Sequence, residues 1–166
     1  MNNVFDLVAD FYGQDEEWNS VLRQSYVENF LRSKSWQGAE DKELTEYWDY
    51  ITLLCIYLGN SENFLGDMSK DDFIDCIAWC GRNVADFALT DKKVAKFLDV
   101  MDELYTHLHN KKIIMSCAAP SEAKAKLLPE GKLTLMDYEG NFLPECNKFN
   151  IYSTADLPAK IFLNIG

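Results

Sequence analysis

The sequence predicts a mainly α protein: a bundle of four to five helices with a small β-hairpin or three-stranded extension at its C-terminal end. Three observations predict it. Apolar residues recur at three- and four-residue steps in successive stretches up to about residue 113. Two of those stretches are preceded by good N-cap side chains, Ser69 and Thr90. After Pro129 the pattern changes to strand-like alternation punctuated by turn residues. The bundle is accordingly assigned to residues 1–115, and residues 116–166 to an extension packed on it.

Taken in order, a short helix is expected over residues 3–12, with Val4, Leu7, Val8 and Phe11 at helical spacing and Gly13 as its break. A second helix is expected over 15–33, where Trp18, Val21, Leu22, Tyr26, Phe30 and Leu31 share a stripe. Residues 35–38 then form the connection. A third helix, 41–58, carries Leu44, Tyr47, Trp48, Ile51, Leu54, Cys55 and Leu58, with Gly59 as a left-handed stop. Ser69 caps a fourth helix using Phe73, Ile74, Ile77 and Cys80. Thr90 caps a fifth with a continuous apolar face from Val94 to Leu108, reaching His109 or, through Lys111 and Lys112, Ile113. One or two helical turns are expected over 121–128 and a break at 129–131. Strands are expected over 132–138, around Phe142, and over 160–165.

Sixteen basic residues face 27 acidic ones, for a net charge of -11. The imbalance is local: residues 1–62 hold twelve acids and four bases, whereas residues 110–166 are nearly balanced. Nucleic-acid binding draws its affinity from clustered lysine and arginine, so it is disfavoured here, as is a basic membrane-surface helix. No apolar run approaches the ~20 residues of a membrane span. Five cysteines, an odd number, and an N-terminus without a cationic region and apolar run suggest free thiols in a reducing cytoplasm.

Three constellations can be tested for chemistry. Cys76 and Cys80, four apart, share a helix face and could join an imidazole from His107 or His109 on a metal. The two histidines are two residues apart, so only one of them could take part. Glu103 and His107 are four apart, where a helical di-iron site needs three. Phosphate loops, nucleophile elbows and dinucleotide fingerprints are absent.

The third constellation is Glu43-x-x-Glu46 followed by Asp72-x-x-Asp75, two i,i+3 acid pairs on consecutive helices. It resembles the E-x-x-E…E-x-x-D pattern of the MazG-like all-α nucleoside triphosphate pyrophosphatases, over residues 43–75, with Asp72 where the family has Glu. The resemblance implies that the four acids bind Mg²⁺, which aligns the triphosphate and activates water.

Aromatic residues are in excess, and Trp36, Trp79 and Tyr12 are candidates for exposure as partner anchors. The leading expectation is therefore a non-enzymatic acidic helical interaction or regulatory module, without a cofactor, whose protein partner is basic in character. The alternative is the Mg²⁺-dependent hydrolase. The apolar ending 161–165 suits a strand completed by another copy, which adds a homodimer to the expectations.

Overall fold

The computed structural model describes residues 3–134. Seven α-helices run along them: α1 (Val4–Gln14), α2 (Trp18–Val21), α3 (Gln24–Trp36), α4 (Asp41–Gly59), α5 (Lys70–Asn83), α6 (Asp91–Asn110) and α7 (Ala119–Leu127). Short 3-10 turns occupy Leu65–Asp67 and Pro129–Gly131. Among the described residues there is no strand, and no helix is long and apolar enough to cross a membrane. Residues 132–134 are not strand; the rest of the predicted hairpin and third strand, and the proposed dimer strand, lie outside the described residues.

Helix α4 is the hub, packed by α1, α2, α3, α5 and α6. Every residue from Ile51 to Leu58 is buried, so in its C-terminal half burial extends beyond the predicted stripe to the whole circumference. A helix apolar all round has to be enclosed by others. Two hydroxyls lie in that run: Thr52 donates to the Trp48 carbonyl at 2.8 Å, and Tyr57 to Asp75 at 2.7 Å. The predicted face of α6 is buried throughout, from Val94 to Leu108. Helix α7 lies across α5 and α6 and buries Ala123 and Leu127 there.

The caps form as the sequence suggests. Ser69 and Asp72 make a reciprocal capping box on α5, and the Thr90 hydroxyl accepts from the Lys93 amide on α6. Asn3 and Asp6 do the same for α1, a box the sequence reading passed over.

The predicted second helix is two. Leu22 and Arg23 are extended, which separates α2 from α3. No glycine or proline marks the break; tertiary bonds make it. Tyr12 donates to the Leu22 carbonyl at 2.5 Å, and Asn19 Oδ1 accepts from the Gln24 amide at 2.9 Å, capping α3 from outside. Tyr12 is therefore buried, not exposed as expected.

Two glycine assignments also change. Gly13 lies inside α1, which runs on to Gln14. Gly59 lies inside α4 with no left-handed backbone; it is small because Trp18 packs on it, where an added Cβ would stand 2.8 Å from Trp18 Cζ3. The left-handed stop belongs to Gly38 (φ 102°). There the Ala39 amide donates to the Lys34 carbonyl and the Gly38 amide to that of Ser35, a Schellman turn that carries α3 through Trp36.

Candidate functional site

Helices α3 and α6 meet along a cleft of about 340 Å³ lined by Phe30, Ser33, Lys34, Gln37, Asp102, Glu103, Thr106, His107 and Asn110. Phe30 opposes His107 and Lys34 opposes Glu103, so the two helices run antiparallel. Lys34 Nζ lies 2.6 Å from Glu103 Oε1, and its side chain is only 16% exposed. Tyr47, from α4, donates its hydroxyl to the same carboxylate at 2.9 Å. The ammonium also lies 5.6 Å from the centre of the Phe30 ring and 5.7 Å from that of Tyr47. Three helices are thus tied by one carboxylate.

The electrostatics follow from that knot. Burial, with Glu103 as hydrogen-bond acceptor, pushes the Tyr47 phenol up to about 12. The His107 ring, edge-on to Phe30 at 5.5 Å, is held below its ordinary value by burial first and then by Lys111 and Lys34. The imidazole is therefore neutral at pH 7. Glu103 is held by both Lys34 and Tyr47. Around this knot, Ser33, Gln37, Asp102, Thr106 and Asn110 have no side-chain partner among the described residues.

The four acids expected to share Mg²⁺ are each engaged elsewhere. Glu43 and Asp72 close the capping boxes of α4 and α5, at 3.5 Å from the Glu40 amide and 2.9 Å from that of Ser69. Glu46 pairs with Lys96 at 3.5 Å, and Asp75 accepts from the Tyr57 hydroxyl at 2.7 Å. Among the described residues no group of three or more His, Cys, Asp or Glu is placed to hold a metal. Cys76 and Cys80 are fully buried; the Cys80 thiol points at the Leu53 carbonyl, and burial drives the Cys76 thiol well above its ordinary value. Such thiols behave as small core hydrophobes. His109 turns away to the Ile114 carbonyl at 3.3 Å.

Of the two expected anchors, Trp36 is 81% exposed, whereas Trp79 is half-buried, edge-on to Tyr57 at 6.0 Å. Phe64 and Met115 are also exposed. Sequence reasoning missed Lys34 and the link from Tyr47 to Glu103. Tyr47 read as part of an apolar stripe, and nothing in the local pattern signals a partner 56 residues away. No protein-family model, curated protein or solved structure matches the chain.

Proposed function

We propose that the chain is a non-enzymatic, acidic helical interaction or regulatory module that binds a protein partner of basic character. The exposure of Trp36 carries this reading. The indole stands on the last turn of α3, which the Gly38 turn fixes, so it is presented on a rigid element rather than a loop. Covering a tryptophan on a partner removes a large apolar area from water, at roughly 25 cal/mol per Å², and tryptophan is enriched among the residues that dominate binding energy. The acid excess of residues 1–62, which include Trp36, supports a basic partner by steering it toward that surface. Support for the hydrolase reading is thinner, because its four acids serve helix caps and side-chain pairs.

The test is a random peptide library selected for binding to the immobilised chain, run in parallel on Trp36→Ser. Enrichment of peptides that combine lysine or arginine with an apolar side chain, on the wild type alone, is the expected result. No enrichment, or the same peptides enriched on Trp36→Ser, would overturn the reading.

A further inference from the structure

We propose that the cleft between α3 and α6 is a receptor for one arginine side chain of the partner segment, with Asp102 as its ion-pair partner. This rests on the interaction-module reading and adds the chemistry of what is bound.

The argument begins with charge. The cleft contains one resident cation and two carboxylates, but Lys34 and Glu103 neutralise each other at 2.6 Å, with Lys34 largely withdrawn from solvent. Asp102 remains, a half-buried carboxylate without an ion-pair or hydrogen-bond partner among the described residues. His107 adds no opposing charge, since burial and the neighbouring Lys34 and Lys111 keep its ring neutral. Among the lining residues the uncompensated charge is therefore negative and sits at Asp102; the exposed Lys111, one turn beyond His107, lies outside the lining.

Hydrogen-bonding capacity comes next. Ser33 and Gln37 from α3, and Thr106 and Asn110 from α6, bring hydroxyl and amide oxygens to both walls, and none has a side-chain partner among the described residues. Arginine suits such a lining better than lysine does. Its planar guanidinium carries five N–H donors in a fixed fork and is weakly hydrated, whereas an ammonium is a compact, strongly hydrated point charge.

Size and neighbourhood agree. About 340 Å³ is at the lower end of the roughly 300–1,000 Å³ of small-ligand pockets, room for one side chain and a few waters. Trp36 follows Ser33 by three residues and precedes Gln37 by one, so the exposed indole and the cleft share one stretch of α3.

The experiment is an NMR titration of the full ¹⁵N-labelled chain with Nα-acetyl-arginine N-methylamide. Nα-acetyl-citrulline N-methylamide, of the same shape without the charge, and Nα-acetyl-lysine N-methylamide serve as comparisons. Saturable shifts of the Gln37 and Asn110 side-chain amides are expected, with a Kd in the millimolar range. Binding should weaken by about tenfold for citrulline and for the variant Asp102→Asn, as expected for a lost charge-assisted bond. The spectrum of Asp102→Asn reports its folding at the same time, and Gln37→Ala provides a second variant on the opposite wall. No shift at these amides, equal binding of citrulline, equal binding by Asp102→Asn, or tighter binding of lysine would overturn the proposal. The two readings fail separately. A silent cleft with Trp36-dependent peptide binding intact removes the arginine pocket alone; arginine shifts without such peptide binding remove the module and leave the pocket.

Discussion

A methyl group added at Gly59 would meet the Trp18 ring at 2.8 Å, and that ring has little freedom to yield because it stacks on Phe11 with centroids 4.8 Å apart. Gly59→Ala should therefore destabilise the fold by about 1–3 kcal/mol, despite the better helix propensity of alanine, as overpacking does. Thermal or urea unfolding measures it. A second single-residue effect concerns pH. Asp49 is partly buried, and burial, with Glu46 one turn away, pushes its carboxyl up to about 6 from an ordinary 3.8. The folded state then binds this proton more readily than the unfolded chain does. Stability gained from Asp49 rises as pH falls from 6 toward 4, and the group is a liability above that window. Asp49→Asn should raise stability at pH 7 and flatten that part of the profile, read from unfolding midpoints across pH 4–8. The gain will be modest, because the group is partly solvated and its interactions are screened.

The elements were legible where local chemistry decides them. Ser69 and Thr90 cap the helices they were expected to cap, and the apolar face of α6 is buried as its spacing predicts. Where tertiary bonds decide, the sequence pattern misled. The interruption at Leu22 depends on the Tyr12 hydroxyl, ten residues away, so the stripe from Trp18 to Leu31 read as one helix. Tyr12→Phe should leave the Leu22 carbonyl unpaired in the core and cost about 1–3 kcal/mol by chemical unfolding. The end of α6 gives a prediction of opposite sign. Its Schellman turn places Lys112 at φ 62°, with the Ile113 amide on the Leu108 carbonyl and the Lys112 amide on that of His109. Glycine adopts this backbone without a Cβ penalty, so Lys112→Gly should raise stability by about 0.5–1 kcal/mol, whereas Lys112→Val should lower it. The same turn explains why α6 stops at Asn110 instead of continuing to Ile113.

At the scale of the whole molecule, the class of fold was legible because buried stripes repeat at helical spacing, and the candidate site was legible only in part. Trp36 could be singled out from its place in the expected 35–38 connection, although it stands on the last turn of α3. The Lys34–Glu103–Tyr47 knot could not, since it joins three helices that only the folded chain brings together. The acid pairs at 43–46 and 72–75 misled for a related reason: carboxylates three residues apart at a helix start cap that helix as readily as they bind a cation. What remains distinctive is an acidic helical bundle that leaves Trp36 in water on α3, a helix that also lines the polar cleft.

The measurement that tests this most directly is calorimetric titration of a library-selected basic peptide into the wild type and into Trp36→Ser. Each is measured at low and at physiological salt, with unfolding temperatures recorded alongside. The account predicts binding that weakens with salt and a loss of about 30-fold in Trp36→Ser, with its unfolding temperature unchanged because the indole is not part of the core. Equal affinity of the two proteins, or binding indifferent to salt, would contradict it.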